Sequence, residues 1–108
     1  MDMIAPERLA ASALAEGEGV AVEVNGRSIL VCRSGGRLYA VSNRCTHAGS
    51  RLVGGKVCDG VITCPLHGAK FQLSTGECLF RKLNYAPLQT FAVREVDGQM
   101  EVDVPSSI

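Results

Sequence analysis

Two short stretches, each holding one cysteine and one histidine, constrain this chain more than any other feature of its sequence. They are Cys45-Thr46-His47 and Cys64-Pro65-Leu66-His67, and sixteen residues separate His47 from Cys64. Thiolate and imidazole are the side-chain donors that best suit a borderline-soft metal. The sequence therefore predicts a fold that brings two loops together around one metal centre, with four ligands: Cys45, His47, Cys64 and His67.

Two kinds of metal centre are compatible with these ligand types. A structural zinc ion takes two cysteines and two histidines in tetrahedral geometry. One class of [2Fe–2S] cluster takes the same set, with two thiolates on one iron and two imidazoles on the other. Two loops that each supply one ligand of each kind can deliver that division. Both centres stay open on the ligand types alone, and analysis of iron and acid-labile sulfide distinguishes them.

The rest of the chain has the pattern of short antiparallel strands. An Asn-Gly or Asp-Gly pair between two apolar runs is a strong local signal for a hairpin. The pairs are Asn25-Gly26, Asp59-Gly60 and Asp97-Gly98. The predicted strands are 3–5, 20–24, 29–32, 37–42, 54–58, 61–64, 69–72, 77–80, 88–96 and 99–104, and 7–15 is predicted as a helical turn or two. We therefore predict an all-β fold of stacked small antiparallel sheets.

Length and charge exclude several classes of protein. A length of 108 residues predicts one domain, 1–108. Eleven basic and eleven acidic side chains give a formal net charge of zero, so no electrostatic case exists for a nucleic-acid partner. No apolar run approaches the roughly 20 residues that span a bilayer. Asp2 and Glu7 stand where a secretion signal has its basic leader. We expect a cytoplasmic protein with no membrane partner.

The two ligand stretches and their surroundings resemble the Rieske signature of soluble Rieske ferredoxins. Beyond the ligands, the likeness covers Leu38-Tyr39-Ala40-Val41, Asn43-Arg44 and Gly68-Ala69-Lys70-Phe71-Gln72-Leu73-Ser74-Thr75-Gly76-Glu77. The resemblance implies a Rieske fold whose cluster-binding part, about 43–80, is formed by two loops. It also implies one Rieske-type [2Fe–2S] cluster per chain, and so favours iron–sulfur over zinc. The implied ligands are Cys45, His47, Cys64 and His67.

The resemblance implies an electron carrier rather than an enzyme. His47 and His67 are the only histidines in the chain, and both are assigned to the cluster. A ring-hydroxylating oxygenase needs a further mononuclear iron bound by two histidines and a carboxylate, which this chain cannot form. Family analogy predicts the ferredoxin component of an aromatic-ring dioxygenase system for the catabolism of aromatic hydrocarbons. Such a ferredoxin carries single electrons from a flavin-dependent NAD(P)H ferredoxin reductase to a terminal oxygenase. The alternative is a small Rieske subunit of another oxidoreductase complex, such as a nitrite reductase, or a redox sensor.

Four positions predict a low potential within the Rieske range of roughly −150 to +300 mV. High-potential Rieske proteins of respiratory complexes have a disulfide at the positions of Ser50 and Leu66, and hydroxyl groups at those of Ala69 and Phe71. Hydrogen bonds to cluster sulfurs stabilise the reduced, more negative state. Because this chain lacks those groups, we expect a potential near the bottom of the range.

Several residues near the ligands, and three further cysteines, have less specific roles. The remaining cysteines are expected to be buried free thiols because no export signal is evident; they are Cys32, Cys58 and Cys78.

Three basic side chains flank the predicted ligands, and they either steer an acidic partner or form ordinary solvated surface; they are Arg44, Arg51 and Lys70. Leu66 is either a docking contact or a shield that keeps water from the cluster.

Overall fold

The computed structural model describes residues 2–4, 14–46, 50–66, 68–79 and 86–104. These residues form nine strands: β1 Asp2–Ile4, β2 Gly19–Val24, β3 Arg27–Ser34, β4 Arg37–Ser42, β5 Lys56–Cys58, β6 Val61–Thr63, β7 Lys70–Gln72, β8 Thr90–Val96 and β9 Gln99–Val104. All strand pairs are antiparallel, which confirms the predicted all-β class. The described ranges contain no helix, so they contain no helix that is long and apolar enough to span a membrane.

The three predicted hairpins are confirmed, and their turns explain why these residues reverse the chain. Asn25, Asp59 and Asp97 have φ angles of 52°, 53° and 50°, and the glycine after each also has a positive φ. A type I′ turn needs positive φ at both central residues, and Asn, Asp and Gly adopt it at the lowest cost. These turns join β2 to β3, β5 to β6 and β8 to β9.

The strands form two sheets, and β3 of the larger sheet lies between two apolar cores. The larger sheet has the order β1-β9-β8-β4-β3-β2, and the smaller has the order β5-β6-β7. Successive side chains of a strand point to opposite faces. In β3, Leu30 and Cys32 therefore belong to the core beneath the small sheet, and Ile29 and Val31 to the core of the large sheet. Because β3 is buried on both faces, it holds the small sheet and its loops against the rest of the protein.

Several predicted boundaries differ from the structure. The strand predicted for 77–80 is wrong over its described residues: Cys78 forms only an isolated bridge with Phe71. The Glu77 N–H donates to the Thr75 hydroxyl in the preceding turn and is not available to β7. The bridge therefore stays limited to one residue pair. β5 and β8 begin two residues later than predicted, and the first strand is Asp2–Ile4 rather than 3–5. Most of the helical turn predicted for 7–15 lies outside the described residues, and its last two, Leu14 and Ala15, are not helical.

Candidate metal centre

Strand ends position both loops that carry the predicted ligands. Cys45 lies three residues after Ser42, the last residue of β4. Cys64 directly follows Thr63, the last residue of β6, and β7 begins at Lys70. The second loop is therefore held at both ends by paired strands of one small sheet. Of the four predicted ligands, the structure describes the two cysteines, and His47 and His67 lie outside the described residues.

The two cysteines occupy equivalent places in their loops. The Cys45 N–H donates to the Ser50 carbonyl at 2.7 Å, and the Cys64 N–H donates to the Ala69 carbonyl at 2.7 Å. Each bond joins a cysteine to the fifth residue after it and closes the loop at its base. In the second loop, the Gly68 N–H also donates to the Cys64 carbonyl at 3.0 Å, and Gly68 has a φ of 74° that favours glycine. Backbone hydrogen bonds within their own loops thus hold both cysteines, the predicted sulfur ligands.

Both cysteine side chains lie in the same apolar core. Cys45 is 0% exposed and Cys64 is 1% exposed, and both pack in the core beneath the small sheet together with Phe71. Burial in apolar surroundings disfavours a thiolate unless a nearby positive charge compensates it. A bound metal centre supplies that compensation, because it deprotonates a coordinating thiol. The location therefore suits metal ligands better than reactive nucleophiles.

Asn43 organises the first loop, and sequence reasoning did not identify this role. Its buried side-chain oxygen accepts the backbone N–H groups of Leu52 at 3.1 Å and Val53 at 2.9 Å. Its side-chain amide donates to the Ser28 hydroxyl at 3.1 Å. One side chain therefore joins the end of β4, the β2–β3 hairpin and the segment that follows the first loop. The local signal is a polar residue between a strand and a predicted ligand, and it does not indicate these partners.

Two hydroxyl groups of the first loop make further contacts that the sequence did not reveal. The Ser50 oxygen lies 3.7 Å from the Cys64 sulfur, so this side chain joins the first loop to a predicted ligand of the second. The Thr46 hydroxyl donates to the Ala86 carbonyl at 2.6 Å and anchors the loop to the segment before β8. Neighbouring polar side chains of this kind orient metal ligands and tune the metal they hold.

Two side chains without a hydroxyl group lie in the core that holds the two cysteines. Ala69 and Phe71 are 2% and 0% exposed and belong to the core that holds both sulfurs. Leu66, by contrast, is 64% exposed, which fits a docking contact better than a shield. The three basic side chains that flank the ligands are all exposed; they are Arg44, Arg51 and Lys70.

The other cysteines differ from one another. Cys32 is a fully buried free thiol, as predicted, and burial raises its pKa to about 12. Cys58 is free but exposed, so the prediction of burial was wrong there. The reason is strand alternation, since Val57 turns inward and its neighbour must turn outward. Cys78 is half-buried and packs against the same core as the ligand cysteines.

The described part of the ligand set fits a centre that takes two thiolates. Two buried cysteines from two loops share one core, and a serine hydroxyl reaches one of their sulfurs. No group of three or more potential metal ligands occurs among the described residues. Residues 47 and 67 lie outside those residues, so the set of four as a whole is a proposal, in which Cys45 and Cys64 supply the sulfur ligands and His47 and His67 the nitrogen ligands.

Comparison with known proteins identifies the family. The family profile described as "Rieske [2Fe-2S] domain" matches residues 7–92. The ferredoxin component of biphenyl 2,3-dioxygenase from Rhodococcus jostii is 36% identical over 95 residues, which cover 88% of each chain. A chain of the solved complex of reduced oxygenase and oxidised ferredoxin in carbazole 1,9a-dioxygenase is 31% identical with a TM-score of 0.83, covering 93% of this chain and 91% of that one. The structure of an NADH-dependent nitrite reductase small subunit from Mycobacterium tuberculosis is 25% identical with a TM-score of 0.78, covering 86% of this chain and 88% of that one.

Proposed function

Because the chain belongs to the Rieske [2Fe-2S] domain family, we propose that it carries single electrons from a flavin-dependent NAD(P)H ferredoxin reductase to a terminal aromatic-ring dioxygenase. Family membership implies a Rieske-type [2Fe–2S] cluster. A relative that matches along 88% of both chains is the ferredoxin component of a multicomponent dioxygenase rather than a catalytic subunit. When bound, such a cluster accepts and releases one electron at a time. The proposed ligands are Cys45, His47, Cys64 and His67.

The observation that carries this proposal is the burial of the two cysteines in loops that backbone hydrogen bonds close. Both side chains are at most 1% exposed, and an equivalent backbone hydrogen bond closes each of their loops. An electron carrier needs ligands that keep their positions when the charge of the cluster changes, and preorganised loops on paired strands supply that. The exposed Leu66 in the second loop offers an apolar contact for a partner beside the cluster. Redox partners of this kind use small, transient interfaces.

A groove beside the first loop gives the partner a place for acidic side chains. It has a volume of about 420 Å³, and three arginines line it: Arg27, Arg44 and Arg51. No acidic residue is among its described lining residues. Arg44 and Arg51 form no ion pair with another described residue, so their charges are available to a partner. These positions favour steering of an acidic partner over ordinary solvated surface, because the charges converge on one groove.

Two measurements test the proposal. The dithionite-reduced protein should give the electron paramagnetic resonance spectrum of a Rieske cluster, and its absence would contradict the proposed cofactor. Reduction by a flavin-dependent reductase should slow as ionic strength rises, because salt screens exposed charges beyond roughly 10 Å at 0.1 M. Replacing Arg44 and Arg51 by glutamine should weaken that salt dependence. Arg37→Gln is the matched control, since Arg37 is exposed at the opposite end of β4 from the first loop.

The alternative, a subunit of a nitrite-reductase-like complex, is supported by the structural likeness to the nitrite reductase small subunit described above. That neighbour is 25% identical and has a lower TM-score than the oxygenase-bound ferredoxin. A carrier should turn over with separate reductase and oxygenase components, whereas a subunit should co-purify with its complex. Co-purification in constant stoichiometry, without electron exchange with a free reductase, would favour the subunit. The low potential and the cytoplasmic location stay predictions.

A further inference from the structure

We propose that the Ser50 hydroxyl donates a hydrogen bond to the Cys64 sulfur and thereby raises the reduction potential of the bound cluster. This inference rests on the proposed function, because it requires Cys64 to be a cluster ligand. Ser50 is not itself a ligand. It acts through the sulfur of another residue, which makes it a positioning residue.

Ser50 contacts both cysteines of the site. Its backbone carbonyl accepts the Cys45 N–H at 2.7 Å, which closes the first loop. Its side-chain oxygen lies 3.7 Å from the sulfur of Cys64 in the second loop, within the range of a hydrogen bond to sulfur. The residue is half-buried, so protein packs around part of its side chain. The backbone bond to Cys45 fixes the residue from which the hydroxyl reaches across to Cys64.

The direction of the hydrogen bond follows from the charge of the ligand. In the protein without metal, either the thiol or the hydroxyl can be the donor. A coordinating cysteine is a thiolate and has no proton to donate. With Cys64 coordinated, only Ser50 can donate in this pair. Its proton stays on the oxygen throughout, and no bond breaks when one electron enters.

The effect on the potential follows from the same charge. Reduction adds one negative charge, which is shared between the cluster and its sulfur ligands. A donor aimed at a ligand sulfur stabilises the reduced state more than the oxidised state, because the bond strengthens with the charge on the acceptor. The side chains of Ala69 and Phe71 have no hydroxyl to supply in the second loop. Ser50 therefore supplies from the first loop a donor that these two positions lack.

Substitution of Ser50 tests the inference on the cluster-loaded protein. Ser50→Ala should lower the equilibrium constant for one-electron reduction on the order of tenfold, which is about 59 mV by voltammetry. Ser50→Thr keeps the hydroxyl and should recover at least half of that shift. In the unmodified protein, iron–sulfur stretching bands in the resonance Raman spectrum should shift between H2O and D2O, because the Ser50 proton exchanges. Ser50→Ala should reduce that isotope shift.

Thr46→Val is the matched control for loosening of the loop. It removes a hydroxyl from the same loop, but one that donates to the Ala86 carbonyl rather than to sulfur. The inference requires a clearly smaller change in potential for Thr46→Val than for Ser50→Ala. Equal changes, or an unchanged potential and isotope shift in Ser50→Ala, would overturn it. A normal electron paramagnetic resonance spectrum in these variants would show that the cluster is bound, so the proposed function would stand even where this inference fails.

Discussion

Replacing Asn43 by alanine should destabilise the protein by roughly 2–4 kcal/mol, because three hydrogen bonds lose a partner at one buried position. Leu52 is fully buried, so its N–H loses its acceptor where water cannot replace it, at a cost of roughly 1–3 kcal/mol. Val53 is 37% exposed, so its N–H can partly turn to water, and the loss there is about 0.5–1 kcal/mol. The exposed Ser28 hydroxyl adds a few tenths of a kcal/mol at most.

Urea unfolding, followed by circular dichroism and by the visible absorbance of the cluster, measures this loss. With a slope near 2 kcal/mol/M, the midpoint should fall by roughly 1–2 M. Ser28→Ala is the matched control, since it removes only the exposed bond and should shift the midpoint by less than about 0.5 M. Asn43→Asp keeps the oxygen that accepts both backbone N–H groups, and it should lose less than half as much as Asn43→Ala. If Asn43→Ala shifts the midpoint no further than Ser28→Ala does, the role given to the buried amide is wrong.

Three further predictions concern the potential, one glycine and one thiol. Ala69→Ser and Phe71→Tyr should each raise the reduction potential by up to roughly 60–130 mV, the equivalent of one charge-assisted hydrogen bond; voltammetry that shows no rise for either would contradict this account. Gly76→Ala should cost roughly 2–5 kcal/mol in urea unfolding, because the new Cβ would collide with a backbone carbonyl at a φ of 80°. Gly98→Ala is its control, with a φ of 77° and open space, and should cost only about 1–2 kcal/mol. For Cys32, burial raises the thiol pKa from 9.0 to about 12, so the folded state keeps a proton that the unfolded state loses. Its contribution to stability is therefore complete below pH 9 and is lost as the pH rises towards 12, and Cys32→Ala should flatten the fall of unfolding free energy in that window.

The hairpins were predictable because their signals are local. A positive φ at two successive residues suits Asp-Gly and Asn-Gly, and all three such pairs form the predicted turns. The strand predicted for 77–80 failed because pairing depends on what lies opposite. Among the described residues of this stretch, only Cys78 forms a bridge with β7, although Glu77 and Leu79 each share one backbone hydrogen bond with that strand. The outward direction of Cys58 depended in the same way on register, since a shift by one residue exchanges the two faces of a strand.

The roles of Asn43 and Ser50 could not be read from the sequence because they depend on residues far along the chain. Asn43 accepts N–H groups from residues nine and ten positions later, and Ser50 reaches a sulfur fourteen positions later. Nothing local to either residue indicates those partners. The fold creates them when β3 and β4 hold the small sheet against the first loop. The sequence therefore indicates candidate ligands, but it does not indicate the side chains that set their surroundings.

The Ser50 hydroxyl also affects the reduction potential that we expect from the absence of a disulfide and of hydroxyl groups at positions 69 and 71. Position 50 lacks the cysteine of high-potential Rieske proteins, but the serine there has a hydroxyl 3.7 Å from a proposed ligand sulfur. Each donor to sulfur stabilises the reduced state, so the number of donors should order the potentials of related variants. The unmodified protein should lie above Ser50→Ala and below a variant that combines Ala69→Ser with Phe71→Tyr. That order depends on hydrogen bonds alone, because none of these substitutions changes the ligands or the net charge. A reversed order would show that solvent access, rather than hydrogen bonding to sulfur, controls the potential of this centre.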